Sequence, residues 1–196
     1  INATCRQIAE WRDVLPPDSC VGLNLSSVQF ANRDLVASVA SAIELYGINP
    51  HQLELEVTES TLITNVEHTR QVLRQLRELG VRTAIDDFGT GHSSLAQLRD
   101  IPFNELKIDQ GFVHRAWQDD TLRAIYDASL AMGKQLGMDI VAEGVEDRND
   151  WDLLRQTGCD MAQGNFISEP LLPADLPIWQ QTWHQRILDE SLVSEQ

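Results

Sequence analysis

The chain of 196 residues carries 30 acidic against 15 basic side chains, a formal net charge of −15. That excess opposes unspecific binding to a nucleic acid polymer or direct contact with an anionic membrane, and no apolar run is long enough to cross a bilayer or act as a signal peptide. With 42% hydrophobic residues and no glycine- or proline-rich linker, residues 1–196 are expected to share one core as a single domain.

Taken in chain order, apolar runs predict short strands at Cys20 to Leu25 and Leu53 to Thr58. A helix follows, because Val66, Thr69, Val72, Leu73, Leu76 and Leu79 recur at three and four residues and Gly80 ends the pattern. Further strands are predicted at Val81 to Ile85 and Leu106 to Ile108. Leu122, Ile125, Tyr126, Leu130, Gly133 and Leu136 then form a second apolar helix face, behind Asp119 and Asp120, which suit the positive end of a helix dipole. Strands at Asp139 to Ala142 and Met161 to Gln163 come next. Trp179, Trp183 and Ile187 predict a closing helix packed on the rest. Cys5, Cys20 and Cys159 are odd in number and lack metal-ligand spacing, which predicts reduced, buried thiols in a cytoplasmic setting.

Strands alternating with helices over short connections imply a parallel sheet. Each strand ends on polar residues: Asn24, Glu56, Asp86 with Asp87, Lys107 with Asp109, Glu143 and Gln163. Polar residues at every C-terminal strand end are the habit of a TIM-like (β/α) barrel. An open doubly wound sheet is the competing layout, and it would gather its ligand at one switch point.

Asp86 and Asp87 are delivered to the mouth of the loop Phe88-Gly89-Thr90-Gly91. Adjacent carboxylates repel and resist burial unless a cation shares the site, which points to a divalent metal; Asp, Gly and Thr are also turn formers, so a plain turn competes. Lys107 is the only basic residue in the strand-end series, and acids with one lysine suit metal-assisted phosphoester chemistry.

In order and spacing, Asn24-Leu25-Ser26, Glu56-Val57-Thr58-Glu59, Asp86-Asp87-Phe88-Gly89-Thr90-Gly91, Lys107-Ile108-Asp109, Ala142-Glu143-Gly144-Val145-Glu146 and Gln163-Gly164 resemble the EAL domain family of bacterial cyclic di-GMP phosphodiesterases. The resemblance implies a TIM-like barrel that hydrolyses cyclic di-GMP to linear pGpG with Mg2+ or Mn2+ in a two-metal site. It implies Asn24, Glu56, Asp86, Asp87 and Glu143 as metal ligands, with Asp86 shared between the two ions. Lys107 and Gln163 would orient the attacking water, Glu59 would brace the loop after the paired aspartates, and Asp109 would contact substrate. A homodimer and fused sensory or regulatory domains are implied as partners.

Departures from the family pattern carry their own expectations. No Glu-Ala-Leu strand is present, Ile1 to Trp11 resembles the helix after the family's second strand, and six strands are predicted where the barrel has eight. The domain is therefore expected to be N-terminally incomplete, with low turnover on its own. His92 stands in place of a tyrosine and is given no role. Asn165 and Ser168-Glu169-Pro170-Leu171 replace a more aromatic and basic pattern, which weakens the expected guanine contacts. A degenerate EAL-type domain that binds cyclic di-GMP or a protein without hydrolysis is the alternative, and a metal-dependent sugar or acid enzyme has only fold-level support.

Overall fold

Six strands lie side by side, parallel and in chain order: β1 (Val21–Leu25), β2 (Leu53–Thr58), β3 (Arg82–Phe88), β4 (Glu105–Ile108), β5 (Asp139–Ala142) and β6 (Met161–Ala162). The computed structural model describes residues 1–59, 61, 66–90 and 101–193, with side chains as far as residue 187. Gly91, His92 and the rest of the loop to Ser94 lie outside the described residues. The unbroken order decides between the two layouts, because a doubly wound sheet reverses order at a switch point and a barrel wall does not. The result is a half-barrel.

Helices α1 (Asn2–Glu10), α2 (Ser27–Phe30), α3 (Leu35–Tyr46), α4 (Val66–Glu78), α5 (Gln110–Val113), α6 (Asp120–Leu136), α7 (Arg148–Thr157) and α8 (Leu176–Val193) complete the described elements, with one-turn 3-10 helices at Pro50–Gln52 and Pro173–Asp175. Period two along each strand sends alternate residues to opposite faces. On one face Leu53, Leu55, Ile85, Leu106, Ile108 and Ile140 are fully buried, in a single apolar cluster with Leu73 and Leu76 of α4 and Tyr126 of α6. Each such side chain removed from water contributes about 1.5–3 kcal/mol, which makes this layer the main source of stability. Packing is close. At Gly133 of α6 an added Cβ would come 2.0 Å from Ile140 Cδ1, so a larger residue there would force the Ile140 side chain to shift.

Local signals hold the helices in place. Asp119 caps α6 by accepting from the backbone amides of Thr121 and Leu122, at 2.8 and 3.1 Å. The aromatic helix α8 packs as its spacing predicts: Trp179 and Trp183 stack at 6.1 Å, and Trp183 stands edge-on to Trp151 of α7 at 5.7 Å. Trp179 Nε1 donates to the Ile167 carbonyl at 3.3 Å.

Four expectations need correction. Strand β3 starts at Arg82 and continues through the aspartates to Phe88, because pairing with β4 resumes at Phe88 after an irregularity. Strand β6 stops at Ala162, one residue before Gln163. Leu136 is 38% exposed; it is the last residue of α6, next to the left-handed Gly137 that caps the helix. All three cysteines are free thiols, yet only Cys5 is buried; Cys20 precedes β1 at the open side of the sheet and is exposed, and Cys159 is half-buried. No helix among the described residues is long and apolar enough to cross a membrane.

Candidate active site

The other face of the sheet is charged, in two layers set two residues apart along the strands. Nearer the N-terminal ends, Arg82 reaches Asp139 at 2.8 Å, Glu54 at 3.1 Å and Glu105 at 3.6 Å. Nearer the C-terminal ends, Lys107 Nζ lies 2.7 Å from Glu143 Oε1, 2.8 Å from Glu56 Oε2 and 3.4 Å from Asp86 Oδ1. Four of the predicted site residues thus meet at one ammonium group. The Lys107 side chain is 5% exposed and its three acidic neighbours 11–15%, so water screens these charges little. Glycine makes room for one of them: a Cβ on Gly22 of β1 would fall 1.8 Å from Glu56 Oε1.

Consecutive strand residues ordinarily point to opposite faces, so Asp86 and Asp87 could not share a site on a regular strand. The register between β3 and β4 shifts between Ile85 and Phe88, and Asp87 adopts φ 53°, a left-handed conformation unusual for a residue with a side chain. This irregularity brings the neighbours together. Asp86, Asp87 and Glu143 each offer a carboxylate oxygen within 4.8 Å of the others. Strain of this sort costs about 1–3 kcal/mol and is retained where the surroundings fix the backbone. Here Glu59, itself 4% exposed, accepts a hydrogen bond from the Gly89 amide at 3.2 Å, one turn past the aspartates.

The remaining predicted residues lie around this cluster. Asn24 is exposed on β1 and pairs in register with Glu56. Gln163 is exposed just past β6, where its backbone accepts from the Val145 amide at 3.0 Å and donates to the Ala142 carbonyl at 2.9 Å. It lines a cavity of about 580 Å³ with Glu56, Lys107, Glu54, Arg82 and Glu105. Asp109 caps α5, accepting from the Gly111 amide at 2.8 Å.

The electrostatics are those of a site short of positive charge. Burial favours a neutral Lys107, but hydrogen bonds and attraction from Glu143 and Glu56 outweigh it and hold the ammonium above its ordinary pKa. Asp87 is pushed up by burial and then by the charges of Asp86 and Asp109. Burial also raises Glu143, against the pull of Lys107. Among the described residues Asp86 Oδ1 is buried and makes no hydrogen bond, its contact with the Lys107 ammonium being an ion pair at 3.4 Å, so it keeps acceptor capacity that a bound metal ion would use. Glu56, Asp86, Asp87 and Glu143 offer carboxylate oxygens and Asn24 an amide oxygen, the donor chemistry of hard divalent cations such as Mg2+, Mn2+ or Ca2+.

Sequence reading missed the Arg82 layer, although its signal was present: Glu54 and Glu105 stand two residues before Glu56 and Lys107, the period that keeps a face. It also missed Asp150, which is fully buried and collects donors from two loops.

Comparison with known proteins gives this geometry its context. The family model for the EAL domain matches residues 1–170. The chain is 42% identical over 173 residues to the signaling protein YkoW of Bacillus subtilis, covering 88% of this chain and 22% of YkoW. It is 41% identical over 175 residues to the bifunctional diguanylate cyclase/cyclic di-GMP phosphodiesterase MucR of Pseudomonas aeruginosa, covering 89% of this chain and 25% of MucR. The chain thus spans about a quarter of the length of these relatives. The solved MucR phosphodiesterase in complex with c-di-GMP superposes with a TM-score of 0.85 at 40% identity, over 89% of this chain and 71% of that one. BlrP1 of Klebsiella pneumoniae, solved with manganese and cyclic di-GMP, matches with a TM-score of 0.78 at 30% identity, over 87% and 44%.

Proposed function

This chain belongs to the EAL domain family, and we propose that its site hydrolyses cyclic di-GMP to linear pGpG with Mg2+ or Mn2+ held by Asn24, Glu56, Asp86, Asp87 and Glu143. The observation that carries the reading is the convergence of Glu56, Asp86 and Glu143 on Lys107, with Asp87 turned toward the same cluster. Bound there, the ions would supply Lewis-acid stabilisation of a phosphodiester and a water acidic enough to act near neutral pH.

The chain's own groups do the rest. Lys107 keeps three mutually repelling carboxylates together and offers a positive charge where negative charge develops on the phosphoryl oxygens. Gln163, at the mouth, orients the attacking water. Glu59 holds the Gly89 amide, and with it the exit of β3, so that both aspartates keep their aim. Asp109 contacts the substrate beside Asp87. The domain acts in the cytoplasm within a longer protein that carries regulatory domains, and it pairs with a second copy.

The test is chromatographic detection of pGpG after incubating the intact protein with cyclic di-GMP and Mn2+. Turnover that survives excess chelator, or binding of cyclic di-GMP without any turnover in Mg2+ or Mn2+, refutes the enzyme reading; the second outcome selects the binding module instead.

A further inference from the structure

Asp150, on the first turn of α7, lies seven residues past Glu143 and is 0% exposed. Its carboxylate accepts three hydrogen bonds that join two separate segments. His114 Nδ1 lies 2.8 Å from Oδ2, the Arg115 amide donates to Oδ1 at 3.0 Å, and the Glu146 amide donates to Oδ2 at 3.1 Å. A carboxylate only accepts, so the ring hydrogen sits on His114 Nδ1. His114 and Arg115 follow Asp109 on the exit from β4, and Glu146 follows Glu143 on the exit from β5.

These two exits also press directly on each other. Gly144, at φ 67°, lies so close to Gln110 that an added Cβ would come 2.3 Å from Gln110 Cβ, and the Glu143 amide donates to the Ile108 carbonyl at 3.1 Å. Arg115 is held at φ 66°, a strained conformation for a residue with a side chain, and that bend accompanies an amide aimed at Asp150. We infer that Asp150, with His114, is a positioning clamp that fixes the Glu143 segment against the Asp109 segment and so sets where the Glu143 carboxylate points. The inference rests on the phosphodiesterase reading of the same site. Groups that hydrogen-bond a metal ligand directly are typically worth about 10- to 100-fold in metal affinity or activity; Asp150 acts on Glu143 through the Glu146 backbone, which places it at the lower end of that range.

Asp150→Asn keeps the shape but replaces one acceptor with an NH2 group, so at least one of three donors faces another donor. In the intact protein, this change is expected to weaken Mn2+ binding about tenfold by calorimetry and to lower kcat at saturating Mn2+ by a similar factor, with KM for cyclic di-GMP within about threefold. Amide exchange at Arg115 and Glu146 should speed up together. His114→Phe, which keeps a ring and deletes one donor, should give a smaller loss of the same kind and serves if Asp150→Asn does not fold. A lower melting temperature in both variants with unchanged Mn2+ affinity and kcat overturns the inference and leaves the enzyme reading standing. A wild-type protein that neither binds Mn2+ nor forms pGpG removes the enzyme reading, and this inference with it.

Discussion

Replacing Lys107 with methionine separates what the lysine does for the fold from what it does for chemistry. The side chain keeps its length and loses its charge, so Glu56, Asp86 and Glu143 are left facing one another without the ammonium that lies 2.7–3.4 Å away. Removing one partner of a buried ion pair costs about 3–5 kcal/mol, and the low exposure of all four groups places this site in that range. For a chain of this size each kcal/mol moves the melting temperature by roughly 2–4 °C, so Lys107→Met should melt roughly 10 °C below wild type in chelator. Divalent metal should then reverse the deficit. An ion at 100 times its dissociation constant stabilises a protein by about 2.7 kcal/mol, and the gain should be larger in Lys107→Met, where the ion no longer competes with a neighbouring positive charge. Turnover should stay low while metal still binds. Melting by circular dichroism, with and without Mn2+, checks this. A variant within about 2 °C of wild type in chelator, or one that Mn2+ stabilises less than wild type, refutes the charge argument.

Asp86→Asn should abolish pGpG formation, because it removes the charge of the one carboxylate proposed to serve both ions; near-normal turnover in the chromatographic assay would contradict the two-metal assignment. Glu59→Gln should weaken the hydrogen bond to the Gly89 amide, cost about 1 kcal/mol in denaturant unfolding and lower kcat more than metal affinity. Glu105 is pushed up to about 8 by burial and by the charge of Glu54, so the folded chain keeps a proton there that the unfolded chain has released. Stability should therefore fall as pH rises from the ordinary glutamate range toward 8, by at most about 1.4 kcal/mol per pH unit, and Glu105→Gln should flatten that slope in urea titrations run across pH 5 to 9.

Much of the fold was legible because its signals are local and repeated. All six strands lie within a residue or a few of their predicted bounds, and the helices predicted at α4 and α6 bury much of the expected faces, Leu136 excepted. The boundary at Ile85 failed for a physical reason: hydrophobicity stops there, but backbone pairing does not, and Asp86 to Phe88 stay in the strand. Cys20 was misplaced because composition speaks to the redox state of a thiol and not to the edge on which it lies. Lys107, Glu56, Asp86 and Glu143 were each legible as polar strand ends, and their convergence follows from a parallel sheet with strands in register. The turn of Asp87 was not legible, since it depends on a register shift against β4 that no local pattern announces. Asp150 was invisible for the same reason, because its donors come from 35 and 36 residues away and from an exposed-looking helix start.

The two charged layers solve one electrostatic problem in different ways. Each sets three carboxylates around a single cation: Glu54, Glu105 and Asp139 around Arg82, and Glu56, Asp86 and Glu143 around Lys107. In the Arg82 layer the excess negative charge is relieved from within, since Asp139 is 54% exposed to water and Glu105 holds a proton to about pH 8. In the Lys107 layer neither outlet is open to the same degree, because its three acids are only 11–15% exposed and Asp87 adds a fourth at the mouth. Protonating that layer would neutralise it, but would also remove the anions that make it useful. Divalent cations would offset that excess and leave the carboxylates charged, and on this ground we propose the layer at the C-terminal strand ends, and not its neighbour two residues below, as the catalytic one.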